Sequence, residues 1–449
     1  MQQNLDFRND SPSSLFRRLF VPTLLGMLSL CVVTAADGVF VGRGVGPEGV
    51  AAVNIVWAPM MLLIGFGLMM GVGCSVVASI KLGRDDREGA RRCVWHALVF
   101  SSAVTIVAVA AMMASPSTTG RLLGSDDGLM PMVIDYMVWF APVLVLNMWS
   151  LIGLFAVRLD GSPRFAMWCN VLPGLLNIFL DWLFVFPLDM GLKGAAIATA
   201  IAVATGAFMA AGYLFLKADA LRVNLSMLSA DGLRGCLRNV VYEMRIGVSA
   251  FLGEATMAMV MFTGNLVFMH YMGTDGVAAF GVACYYCPFF FMIGNAIAQS
   301  AQPIISYNFG IRQWDRVKAT ERIAIITALC FGVVVTLMFV GIPDVMTGLF
   351  LDPDVPAARY AIEGLPIFSA CVIFYIFNVT AIGYFQSVEA VKPSVWFALC
   401  RGVILLVPSF VIMPLVAGST GIWLAVAVSE LATCLCILAY YLKGGVSHE

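Results

Sequence analysis

Charge is what this 449-residue chain has least of. Only 12% of its residues are Asp, Glu, Lys or Arg, while 61% are hydrophobic. Soluble domains carry about 25% charge and 45–50% apolar residues, so an ordinary water-facing exterior is excluded. Mean hydropathy is +0.92. The net charge of −1 points to no nucleic-acid partner, and none is expected. Only three histidines occur, His96, His270 and His448, and they are scattered, which argues against a histidine metal centre. The twelve cysteines lie almost wholly inside apolar stretches, as with Cys434 and Cys436, without metal-ligand spacing. They read as small apolar fillers. Walker A, GxSxG and HExxH patterns are absent, and the charged loops are too short to house an ATPase domain. The chain therefore reads as neither an enzyme nor an ATP-driven pump. No cleavable signal is evident: a polar, basic start (MQQNLDFRNDSPSSLFRR) precedes an apolar run long enough to span.

What is present is a series of twelve apolar runs, each able to cross the ~30 Å hydrocarbon core of a bilayer. Their approximate spans are 18–41, 49–80, 92–115, 129–157, 164–187, 191–217, 238–270, 277–307, 320–342, 357–388, 393–414 and 418–442. Polar spacers such as GPEG, LDGSPR and AGSTG separate them. With the N-terminus inside, 22 of the 26 Lys and Arg fall on inner segments, and only Arg43, Arg121, Lys193 and Arg359 lie outside. The positive-inside bias thus predicts both termini cytoplasmic.

The second half repeats the first. Gly46–Gly83 returns, without a gap, 227 positions later as Gly273–Gly310, with eight identities in 38 positions, all in small or turn-forming residues. GPEGVAA (46–52) pairs with GTDGVAA (273–279), and LLGSDDG (122–128) and GLKGAAIA (191–198) resemble 349–355 and 418–425. A repeat of six helices returns the chain to its starting side, so the halves are parallel repeats about an axis along the membrane normal. The expected organisation is a cytoplasmic segment 1–17, an N-lobe 18–217, a linker 218–237, a C-lobe 238–442 and a tail 443–449. A membrane protein of two similar halves is most often a transporter.

Charges inside a bilayer cost several kcal/mol each and need a reason. Asp37 lies late in the first run, Asp181 in the fifth, Glu254 in the seventh, Arg401 in the eleventh and Glu430 in the twelfth. Asn177 and Asp181 are four apart and share one helix face. Thr199 can add a hydroxyl if the sixth helix packs alongside. Together with Asp37 they form a set of hard oxygen ligands with two titratable carboxyls. In a dry site such groups can load a proton on one side and release it on the other; the same oxygens suit Na⁺. The second-half counterpart of Asp37 is Gly264, and that of Asp181 falls in the apolar stretch 405–413, so the cluster belongs to the first half only. Arg401 and Glu430 read as a structural ion pair. Glu254 is a candidate second acidic or substrate site. Pro22, fifteen residues before Asp37, permits a bend in the first helix. Met257, Met259, Met261, Tyr285, Tyr286, Phe289, Phe290, Phe291, Phe374, Tyr375 and Phe377 either line a cavity for bulky cations or, more often for such residues, pack helices.

At DGVFVGRGVGPEGVAAVN (37–54), LNIFLDWLFVFPLDMGLKGAAIATAIA (176–202), MIGNAIAQSAQPIISYNFG (292–310) and ALCRGVILLVP (398–408), the chain resembles the multidrug and toxic compound extrusion (MATE) transporters, nearest the bacterial MepA-like and DinF-like branch. The resemblance covers about residues 15–442. It implies an all-α integral membrane fold of the MOP flippase superfamily, with twelve transmembrane helices in two pseudo-symmetric six-helix lobes. It further implies a first-lobe cation site at Asp37, Asn177, Asp181 and Thr199, a bending proline at Pro22 and a helix 7 acid at Glu254. The family's tyrosine near this site would be Tyr136, with Trp139 on the same stretch. The implied activity is export of amphipathic or cationic drugs across a bacterial inner membrane by alternating access, in exchange for H⁺ or Na⁺. No cofactor beyond that ion is implied, and the expected state is a monomer.

A lipid-linked oligosaccharide flippase of the same superfamily often has extra helices and a strongly cationic cavity, whereas membrane carboxylates outnumber membrane basic residues here. An intramembrane enzyme needs paired catalytic groups, and His is nearly absent from the helices; the acid-bearing first half and the two-lobe plan argue against a channel or sensor.

Overall fold

The computed structural model describes residues 5–228 and 235–443. Residues 1–4, the 229–234 part of the expected linker and the tail beyond Lys443 lie outside the described residues. Among those described, ten helices are long and apolar enough to cross a bilayer. Two of these are each a pair of helices joined without a loop. The backbone leaves helical geometry at Gly273 (φ 67°) inside Cys236–Gly310, and at Ala417 and Gly418 (φ 57° at Gly418) inside Leu406–Leu442. Twelve membrane-spanning helices result: α1 Pro12–Gly44, α2 Pro47–Gly83, α3 Arg87–Ala114, α4 Met130–Leu159, α5 Pro163–Val185, α6 Gly191–Lys217, α7 236–272, α8 274–310, α9 Trp314–Gly341, α10 356–387, α11 391–417 and α12 419–442. Glycine at 273 and 418 is required because an L side chain is strained at positive φ.

Local chemistry sets the boundaries. Prolines open α2 and α5, where the missing N–H costs no helical bond. The Asp86 Oδ1 caps α3 by accepting from the Gly89 amide at 2.8 Å. α4 tightens to a 3₁₀ turn over Ala141–Val143, around Pro142. α10 is interrupted at Ser369, three residues after Pro366. A π turn over Cys400–Ile404 sits in the middle of α11 and carries Arg401.

The repeat is written more clearly in the backbone than in identities. α2 and α8 begin at 47 and 274 and end at 83 and 310. α3 and α9 run 87–114 and 314–341, and short helices begin at Pro116 and Pro343. Left-handed residues pair as Gly46 with Gly273, Asp85 with Arg312 (φ 59° at both) and Gly191 with Gly418. Every pair keeps the offset of 227 seen in the sequence. Packing repeats too: a Cβ on Gly67 would lie 2.7 Å from Leu151 Cδ1, and one on Gly294 would lie 3.3 Å from Val379 Cβ.

The chain forms two compact units. Unit 1 contains the residues up to Asp10 and Val21–Gly247; unit 2 contains Ser11–Phe20 and Val248 onward. Unit 1 thus extends past the expected 218–237 linker into α7. The reason is backbone contact between α2 and the start of α7: a Cβ on Gly73 would stand 2.0 Å from the Glu243 carbonyl oxygen, and one on Gly247 only 1.9 Å from that of Met69. Glycine lets the two backbones touch. In unit 2 the first turns of α1 pack through Phe20, edge-on to Phe331 at 5.6 Å between ring centres.

Candidate carboxylate site in unit 1

α1 and α5 run side by side in the same direction. A Cβ on Gly174 would lie 2.6 Å from Val33 Cγ2, and one on Gly44 would lie 2.1 Å from Val185 Cγ1. The numbers differ by 141 in both contacts, so the two helices hold one register between them. Gly174, Asn177, Asp181 and Val185 are spaced three or four apart and lie on one face of α5. Val33, Asp37 and Gly44 likewise lie on one face of α1. The two contacts therefore bracket Asp37 on one side and Asn177 and Asp181 on the other. This register brings carboxyls 144 residues apart in sequence into one site.

α6 supplies the third wall, antiparallel to α5. Gly194 approaches Phe184 near one end of the pair, and Gly206 approaches Cys169 and Pro173 near the other. Between them the Asn177 amide Nδ2 donates to Thr199 Oγ1 at 3.5 Å, and that hydroxyl donates to the Ala195 carbonyl at 3.0 Å. Asp181 is fully buried, and neither of its carboxyl oxygens has a hydrogen-bond partner. The charged group acting on it is the Asp37 carboxyl, which is half-buried. Tyr136 on α4 is buried beside both acids, its hydroxyl also without a partner. That ring packs against Phe140 at 5.7 Å between ring centres and belongs to one buried apolar cluster with Val41, Val56, Met60 and Val185, which keeps this side dry.

The chemistry follows from the donor count. Ionised carboxylates only accept hydrogen bonds, and an acid adjoining a second one with no donor to either Asp181 oxygen leaves buried lone pairs unmatched. A shared proton supplies one donor; a hard cation supplies charge, with the Asn177 carbonyl and Thr199 hydroxyl as further oxygens. Either occupant resolves the arrangement.

The other sequence-derived residues fall elsewhere. Of the two α4 aromatics the resemblance singles out, Tyr136 adjoins the acids, whereas Trp139 is exposed with the Lys193 ammonium 5.2 Å from its ring centre. Pro22 stands next to the point where α1 passes from unit 2 to unit 1, in a small cleft with Thr23, Arg158 and Asn170. Glu254 lies in unit 2, on α7, half-buried. Arg401 and Glu430 are brought together inside unit 2. Arg401 Nε and Nη2 donate to Glu430 Oε1 at 3.1 and 2.8 Å, the Asn378 amide donates to Oε2 at 2.7 Å, and the guanidinium lies 4.1 Å over the Tyr375 ring. Phe290 and Phe291 each meet the Tyr375 ring edge-on in the interior of unit 2, while Tyr285 is exposed and stacks on Phe350. One buried acid, Glu243, was hidden in the sequence among the charges of the linker region; the glycines at 73 and 247 were the available signal.

Known proteins resemble the chain along almost its whole length. A family model described as MatE matches residues 22–183 and 250–411. The multidrug export protein MepA of Staphylococcus aureus (strain NCTC 8325 / PS 47) is 24% identical over 431 residues, covering 94% of this chain and 92% of that protein. The FAD transporter of Shewanella oneidensis is 24% identical over 446 residues, covering 94% and 92%. A solved structure described as the outward-facing conformation of a multidrug resistance MATE family transporter of the MOP superfamily matches with a TM-score of 0.91 at 22% identity, over 98% of each chain; at that identity the likeness speaks for the fold.

Proposed function

The chain belongs to the MatE family, and on that premise we propose that it is a secondary exporter of amphipathic or cationic drug-like molecules, driven by inward movement of H⁺ or Na⁺. The observation that carries this reading is the Asp37–Asp181 pair, a half-buried carboxyl beside a fully buried one, with no donor to either oxygen of Asp181 and with Asn177 and Thr199 alongside. The name of the MepA relative supports drug-like substrates. The protein works as a monomer in a bacterial inner membrane with both termini cytoplasmic, in keeping with the distribution of Lys and Arg.

The cycle is alternating access. Substrate is taken from the inside, and the coupling ion then reaches Asp37 and Asp181 from the outside. Neutralising the pair removes the charge that favours a cationic substrate, and α1 rearranges next to Pro22. The ion leaves inward down its gradient, each charge contributing about 2.3 kcal/mol per 100 mV.

The test is ethidium efflux from energised vesicles with H⁺ and Na⁺ gradients imposed one at a time. Efflux driven by either gradient and lost in Asp37→Asn and Asp181→Asn, with insertion and yield unchanged, is the expected result. Normal efflux in both variants overturns the assigned site. No efflux of any cationic dye from well-expressed wild type overturns drug export and favours a lipid-linked flippase.

A further inference from the structure

The foot of α7 holds a further buried acid that the proposed cycle leaves unused. Glu243 has no exposed surface, and neither of its carboxyl oxygens has a hydrogen-bond partner. Its own backbone carbonyl is pressed against Gly73, so the residue cannot turn outward without separating α7 from α2. The groups around it come from three helices: Cys74 and Lys81 from α2, Cys93 from α3, and Cys236 from α7 itself. Close by along α7, the Asn239 amide meets the buried His96 Nδ1 at 3.1 Å. Cys93 adjoins the carboxyl but lies outside hydrogen-bonding geometry, and a thiol is a weak donor in any case. Lys81 is half-exposed and spends its ammonium on the Gly89 carbonyl at a long 3.5 Å. Among the described residues no three His, Cys, Asp or Glu side chains converge as metal ligands. A metal therefore does not account for the arrangement.

We infer that Glu243 is a proton-binding site of unit 1, separate from the Asp37–Asp181 pair, at which Lys81 is the switching partner. In the packing described here the carboxyl is the neutral acid, since an ionised one would be sealed from water with no donor. In the other state the O–H bond breaks, the proton leaves to water, and the Lys81 ammonium turns from the Gly89 carbonyl to the carboxylate. Charge balances at each end: a neutral acid beside a solvated cation becomes an ion pair plus a released proton. The site stands whichever ion drives export, because it is defined by unit 1 alone.

The experiment is infrared titration of the purified, detergent-solubilised full-length protein, following the carboxylic C=O stretch as pH is varied. Expected are a pH-dependent carboxylic band missing from Glu243→Gln, and the same band in Lys81→Met appearing at a pH higher by about one unit or more, the size of a lost opposite charge nearby. Spectra of wild type and Glu243→Gln that coincide at every pH overturn the site. A band that does not move in Lys81→Met overturns the partner. If Glu243→Gln does not fold, Glu243→Asp takes its place, and an unshifted, unaltered band in that variant likewise overturns the assignment. Asp37→Asn serves as the control that keeps this band, which separates the outcome from the fate of the coupling site.

Discussion

Removing either end of the Arg401–Glu430 pair should destabilise the protein far more than removing both. Each side chain is only 2% exposed, and the carboxylate receives the guanidinium at 2.8 and 3.1 Å and the Asn378 amide at 2.7 Å. Every charge there is matched, so a single deletion strands one. Breaking a buried pair by deleting one partner costs about 3–5 kcal/mol, whereas apolar replacement of both is often near neutral. The Tyr375 ring 4.1 Å beneath the guanidinium adds a desolvated cation–π contact of about 2 kcal/mol, lost in Arg401→Met and in Tyr375→Leu. The expected pattern is Arg401→Met and Glu430→Met each down by about 3–5 kcal/mol. The double variant then loses less than either single variant, giving a coupling of at least about 3 kcal/mol. Reversible unfolding in mixed micelles of increasing dodecyl sulfate, read by tryptophan fluorescence, measures all four corners of the cycle. Additive losses would refute the reasoning. So would a double variant that is stable but exports no dye, because that would move the pair from architecture to transport.

Two further outcomes follow from glycine contacts. Gly174→Leu fills the space in which Val33 lies 2.6 Å from the would-be Cβ; overpacking of this kind costs about 1–3 kcal/mol. It should also part α1 from α5 and reduce efflux at least tenfold, and unchanged efflux from the folded variant counts against the Asp37–Asp181 register. Gly247→Ala places a Cβ 1.9 Å from the Met69 carbonyl oxygen, which cannot swing away as a side chain can. It should lower thermal stability in detergent more than Gly253→Ala on the same helix, where nothing lies within 4 Å; equal melting of the two variants contradicts the backbone contact.

Hydrophobic runs and the 227-residue repeat made the twelve helices readable, because bilayer thickness and turn geometry act residue by residue. Asn177 and Asp181 were readable for the same reason: a spacing of four is a helix face. Which faces meet was not. Nothing local distinguishes Tyr136 from Trp139 until α1 and α2 are in place to bury one of them. Glu243 was obscured by its company, since Arg238 and Arg245 nearby suggest a solvated helix end. Only the contact of two glycine-bearing backbones reverses that reading. The interruptions at Ser369 and Ala141–Val143 lie beside prolines that apolar counting passes over.

The exchange of first turns has a consequence for how the chain is made. Residues 11–20 belong to unit 2 and residues 236–247 to unit 1, and the two crossing points are themselves 227 apart. The half that leaves the ribosome first therefore cannot finish itself. It waits for a segment encoded beyond the linker, while ten of its earliest residues are held over for a partner not yet synthesised. A gene cut at the linker would yield two polypeptides, each missing a piece carried by the other. The halves are duplicates in design but not self-sufficient parts.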